Sequence, residues 1–261
     1  MNKNNVSKKD NVCEGDASQT LESPLKGMNI CSYAYLTDRE FDTPKLYRAS
    51  DIATQKSTSS SLGVTLDWVE NFLGKPHDEL GRKGPVCPFV PTSLALNHIW
   101  FAEIKDEAVG FQSICNIITK FREVFLSTEP RNQPAAMNKA LLVVFPHITE
   151  KGAALVDKVQ AKLKDDFVDK GLMLGEFHPT NNSSGLRNPE FRPLRSPIPM
   201  LAIRHMVDSD LPFLIKESYP PTLRRLYIKA YLKNLYQSLS PPKFDEALES
   251  LVQVEIQLNR P

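Results

Sequence analysis

ALLVVFPHITEKGAALVDKVQAKLKDDFVDKGLMLGEFHP, residues 140–179, is the stretch on which the fold turns. It opens with an unbroken apolar run, Ala140–Pro146, the pattern of a strand buried on both faces. Its middle places Val156, Val159, Leu163 and Phe167 at helical spacing among charged residues. It closes on Gly171–Phe177, a short apolar strand.

The same alternation continues outward. Toward the N-terminus, His98–Ile104 reads as a strand, and Phe111, Ile114, Cys115, Ile118, Phe121 and Phe125 mark one helical face. Further back, Leu66, Val69, Phe72 and Leu73 share a helical face, with Thr65 as the expected N-cap. A glycine- and proline-rich connection, Gly74–Leu94, separates these two helices. Toward the C-terminus, Pro199–Val207 is a strand. A helix with Leu223, Leu226, Tyr227, Ala230, Tyr231 and Leu235 on one face and Arg224, Arg225, Lys229 and Lys233 on a solvated basic face comes next. A last helix runs over about Phe244–Leu258. The expected fold is therefore α/β, a layered sandwich with a mixed sheet of about four or more strands, flanking helices and a C-terminal helix pair. The last two strands are expected to be antiparallel, joined by a long loop.

Residues 1–62 are polar, with little periodicity, and are expected to form a disordered or loosely docked extension. A short apolar patch there, Met28–Leu36, is suited to dock as an arm or an edge strand. Residues 63–261 form the expected single α/β domain. A net charge of +1 gives no support to nucleic-acid binding. No apolar run is long enough for a membrane span, and the polar N-terminus has no apolar leader core, so a cytoplasmic location is expected. Cys13, Cys31, Cys87 and Cys115 show no C-x-x-C or zinc spacing and read as free thiols. The phosphate-binding loop, the dinucleotide fingerprint, the serine-hydrolase elbow and the H-E-x-x-H helix are all absent.

Candidate chemistry gathers around the loop Leu174–Pro199, which is rich in proline and arginine and poor in acid. Prolines stiffen it. His178 sits at its root, where a strand ends, and Pro179 holds the His178 backbone extended. Strand ends are where ligand crevices form in α/β layers. Among the five histidines, His147 and His205 also lie at strand ends or on a strand, so His178 and His205 are candidate iron ligands. Glu176, two residues before His178, projects from the same strand face and could orient it or act as a base. Arg187, Arg192, Arg195 and Arg204 suit the oxygens of a carboxylate, a phosphate or haem propionates; hydrogen bonds to their own loop are the structural alternative. Cys87, framed by Pro85 and Pro88 and near Arg82 and Lys83, suits a thiolate nucleophile or an iron ligand, or else a small core residue.

Trp68-Val69-Glu70 with Cys87-Pro88-Phe89, then Phe177-His178-Pro179, then Arg195-Ser196-Pro197-Ile198-Pro199, resemble an uncharacterised bacterial family. Its members carry a W-[LV]-E helix, an L-C-P-F-A segment, an A-S-F-H-P strand end and an N-R-S-P-Y-P-x-L-H-L-L-R-E segment. The resemblance spans about residues 65–207. The chain departs from it where the histidine after S-P-x-P falls on Ala202, so that His205 would have to substitute, and where the closing acid falls near Met206. A second resemblance, in the order of a Cys-Pro segment, an L-V-V-F strand and a Pro/Arg-rich loop, is to the YqcI/YcgG group, some of whose members are haem proteins that hydroxylate guanidino nitrogen.

That second resemblance implies a haem-binding, or non-haem iron-dependent, oxidoreductase acting on a small polar metabolite, such as an N- or C-oxygenase of specialised metabolism. His178 would then be the metal ligand, with His205 or Cys87 as substitutes. Arg192, Arg195 and Arg204 would hold the cofactor or an anionic substrate. Two other readings remain open: a metal-free enzyme with Cys87 as nucleophile, and a non-catalytic module that binds an anion or a partner. A homodimer and a redox partner belong among the expected partners.

Overall fold

The computed structural model describes residues 45–54 and 59–260. Cys13, Cys31 and the Met28–Leu36 patch lie outside the described residues. The strands are β1 (Tyr47–Arg48), β2 (Ile99–Glu103), β3 (Ala140–Val144), β4 (Leu172–Phe177) and β5 (Met200–His205). They form one mixed sheet in the order β1-β2-β3-β5-β4. β2 and β3 are parallel, whereas β5 is antiparallel to both β3 and β4. β2, β3 and β4 therefore share a direction, and their carboxyl ends share one edge of the molecule.

Register sorts the side chains. Ile99, Phe101, Leu142, Val144, Met200 and Phe177 point to one face. There they meet α1 (Ala49–Thr54), α2 (Ser61–Trp68), a π-turn over Val69–Leu73 and α3 (Val90–Ala95). Leu141, Val143, Leu201, Ile203, Leu172 and Leu174 point to the other face. That face carries α4 (Phe111–Ser127) and α5 (Ala154–Asp169), whose buried stripes follow the predicted spacing except at Phe111, which is exposed, while Ile117 joins the buried side. After β5 come α6 (Leu211–Leu214), α7 (Pro221–Leu235) and α8 (Pro241–Leu258). Tyr227, Ile228 and Tyr231 of α7 and Ala247 and Val254 of α8 close a second core with Val168, Met206, Leu211 and Leu214.

The structure moves several boundaries. Tyr47–Arg48 pairs with β2, and Ala49 and Ile52 of α1 enter the core, so part of the stretch read as an extension belongs to the sheet layer. The first long helix starts at Ser61, capped by Ser60, whose side chain accepts the Gly63 N–H at 3.0 Å. Thr65, the expected cap, lies inside the helix, and its hydroxyl donates to Ser61 O at 2.7 Å. Leu226 was expected on the buried face of its helix and is 51 % exposed instead; Ile228 takes the inner place.

Candidate functional site

At the carboxyl end of β4 the chain leaves the sheet as His178, which is 2 % exposed. Its imidazole Nε2 lies 2.9 Å from Asp157 Oδ1, and its Nδ1 lies 3.2 Å from the Thr180 hydroxyl. A carboxylate accepts, so Nε2 carries the proton, and Nδ1 accepts from Thr180 in the neutral ring. His178 O receives the Asn181 and Ser196 amides, and His178 N–H donates to Leu194 O. The root of the loop is thus tied on both sides.

Asp157 begins a polar line along the shoulder of the α5 buried stripe. Gln160 donates to Leu174 O at 3.0 Å, and Asn181 donates to Glu176 O at 3.3 Å. These amides cover outward carbonyls of β4, an edge strand, and so block strand addition there. One helical turn beyond Gln160 is Lys164, a buried lysine. Its Nζ donates to Tyr219 Oη at 2.8 Å and Phe213 O at 3.3 Å, and it stands over the Tyr219 and Tyr227 rings. Tyr227 Oη in turn donates to Asp165 at 2.5 Å.

Glu176 faces this line from β4 and is half-buried. Burial pushes its carboxyl above the usual carboxylate range. Its own backbone N–H opposes that rise, the Asp157 charge adds to it, and Lys164 and Lys216 oppose it. Burial lowers the Lys164 ammonium, against the pull of Glu176 and Asp165. Burial also raises the Tyr219 phenol. The result is a compact Asp157–His178, Glu176, Lys164–Tyr219 cluster at the crevice-forming edge of the sheet.

The other residues expected in the site are dispersed. Leu172 pairs with His205, and His178 lies six residues beyond Leu172, so His178 and His205 are roughly 20 Å apart along the strand at ~3.3 Å per residue. One iron cannot take both. Arg204, beside His205, forks onto Asp210 at 2.6 and 2.7 Å. Arg195 donates to Asn181 O and Asn182 Oδ1, and Arg192 donates to Pro189 O and Phe191 O. Arg192 and Arg195 hold their own loop, the structural alternative left open by the sequence, whereas Arg204 is taken by Asp210 and His205 O. Cys87 packs against the opposite face of the sheet from Glu176, and no hydrogen bond joins it to a histidine among the described residues. Arg82 is turned to Lys83 O and Val86 O. Among the described residues no group of three or more His, Cys, Asp or Glu side chains is placed to hold a metal ion. No helix there is long and apolar enough to cross a membrane.

Asp157, Gln160, Lys164, Asn181 and Tyr219 escaped the sequence reading. A signal existed for three of them: Asp157, Gln160 and Lys164 recur at helical spacing immediately beside the apolar stripe.

The family model for a domain of unknown function, DUF6875, matches residues 62–244. The chain belongs to this family. The DUF6875 match takes in β2 to β5, the loop and every member of the cluster. No curated protein and no solved structure matches the chain.

Proposed function

We propose that this DUF6875 protein is an enzyme that transfers a proton on a small anionic metabolite, with Glu176 as the acid–base group. The observation that carries the proposal is the place of the Glu176 carboxyl, half-buried at the carboxyl ends of the parallel strands beside Lys164 and the Asp157–His178 pair, where burial raises it above the usual carboxylate range. Lys164 supports it. Its bonds to Tyr219 and Phe213 account for two of the three N–H groups of the ammonium, and the Glu176 charge acts on it. Asp157 and His178 fix the wall of the site and the loop above it, which prepays orientation.

A panel of small carboxylates and phosphates tests this by thermal denaturation of the wild type, Lys164→Met and Glu176→Gln. The expected result is a Tm rise with a subset of anions that Lys164→Met abolishes relative to its own baseline. An equal rise in Lys164→Met, or none in the wild type, rejects the proposal.

The haem- or iron-dependent oxidoreductase places the metal at His178. Both His178 nitrogens hold protein partners, and Arg192, Arg195 and Arg204 are engaged with the protein, so the residues present do not fit that group without rearrangement. A Soret band in the purified protein would displace the acid–base reading.

A further inference from the structure

α8 carries two apolar stripes. The inner one, Ala247, Leu251, Val254 and Leu258, packs on α7. The outer one, Leu248, Val252 and Ile256, is 38, 55 and 44 % exposed. Four-residue spacing aligns these three side chains on one helical face. Beside them a groove of about 740 Å³ runs between α8, α7 and the segment before α7, floored by Ile215, Ile228 and Val252. Its rim is acidic: Glu217, Glu246 and Glu249. Lys243 answers Glu246 at 2.8 Å, whereas Glu217 and Glu249 have no cationic partner among the described residues. Arg224, the cation in the lining, spends its Nη2 on Gln257.

A contiguous apolar stripe with a charged rim is the form of a helix-binding groove. We propose that this face docks a basic amphipathic helix of a partner protein, apolar side over Leu248, Val252 and Ile256, with lysines or arginines against Glu217 and Glu249. A second copy of α8 does not satisfy the charges. Antiparallel pairing about Val252 sets Glu249 against Glu255 of the other copy, whose carboxylate already engages Arg225 and Lys229 at 3.5 Å, and leaves Glu217 without a cation. The basic residues of α7 are already answered, Arg225 and Lys229 by Glu255 and Lys233 by Asp169.

The probe is a fluorescein-labelled Leu/Lys amphipathic peptide of about 14 residues, close to four helical turns, with a Leu/Glu peptide of the same pattern as its control. Anisotropy on the full chain at physiological salt should show micromolar binding of the Leu/Lys peptide only. Val252→Ser and Glu217→Lys/Glu249→Lys should each weaken it on the order of tenfold. The charge-reversed variant should gain the Leu/Glu peptide. All three positions are on the surface, and the distant exposed Glu107→Lys should change nothing. Equal binding of both peptides, or equal weakening by Glu107→Lys, overturns the proposal. So does a concentration-dependent dimer in sedimentation that Val252→Ser abolishes, which would assign the face to a second copy.

Discussion

At the carboxyl end of the sheet, His178 bonds Asp157, and Glu176 and Lys164 lie within reach of each other's opposite charge. At the amino end, His98, Lys139 and His205 are crowded together with cations for neighbours. Burial first, then Arg48 and Lys139, lowers His98. Burial and then Lys139 bring His205 down to about 4, while burial brings Lys139 down to about 8 against the pull of Glu129. Among the described residues His98 Nδ1 and His205 Nε2 have no hydrogen-bond partner, and Lys139 donates to Phe125 O at 2.7 Å and Thr128 O at 2.6 Å and stands over the Phe125 ring. Similar depth thus yields two chemistries. At the carboxyl end burial shifts Lys164 and Glu176 toward their neutral forms, and the opposite charge of each opposes the shift of the other. At the amino end burial is the larger cause, and neighbouring cations add to it for His98 and His205, which are pushed toward the neutral imidazole.

The largest effect that breaks this contrast is at a buried amino-end charge that is paired. Asp210 is 1 % exposed and is held by the Arg204 fork and by the Val207 amide at 2.8 Å. Arg204→Met leaves a buried carboxylate without its cation and should cost about 3–5 kcal/mol in urea unfolding. Adding Asp210→Asn should recover part of that loss; strict additivity would mean the pair is not coupled.

His205 comes next. Its folded-state value of about 4 lies below the ordinary 6.5, so the unfolded chain binds the proton first as pH falls. Stability is lost between pH 6.5 and 4, by about 3 kcal/mol for such a difference. His205→Phe should flatten that part of the stability–pH curve while leaving the pH 8 value close to wild type. An unchanged slope would show that His205 is not buried neutral. Lys139 has the same sign higher up: stability should rise with pH from about 8 toward the unfolded lysine value.

The difference between the two ends also explains what was legible in the sequence. Ala140–Val144 and the stripes of α4 and α5 are periodic, and periodicity is local, so the layered α/β fold could be read directly. β1 is two residues long and carries no period; only its partner β2 makes it a strand. His178 and Glu176 stood out by their place at a strand end. Asp157 is separated from His178 by a whole helix, and only the packing of α5 on β4 brings them together. The arginines of the loop looked like an anion pocket because sequence displays donors and hides the carbonyls that take them.

A smaller effect belongs to the Asp157–His178 bond. Asp157 is 48 % exposed, so water screens the interaction. Asp157→Asn should cost about 1 kcal/mol, a typical net hydrogen bond. Its sharper readout is hydrogen exchange at Asn181 and Ser196, whose amides are bonded to His178 O. Faster exchange there, with β3 and β5 unchanged, would show that the pair holds the loop. Uniform protection across the loop would assign its stiffness to the prolines alone.

Glu176→Gln gives the smallest change in stability and the most telling sign. The folded carboxyl is raised, so the folded state binds its proton more tightly than the unfolded chain does. The cost of ionising it in place grows as pH rises past the unfolded value and is complete above the folded one. Glutamine removes that cost. The variant should therefore be slightly more stable than wild type at neutral pH and equal to it near pH 4, while losing the pH dependence of anion binding at Lys164. Those two outcomes together would mark Glu176 as a residue kept for function at a cost in stability. If Glu176→Gln instead destabilises the protein at neutral pH, the carboxylate is a strut for Lys164, and the two ends of the sheet differ in architecture alone.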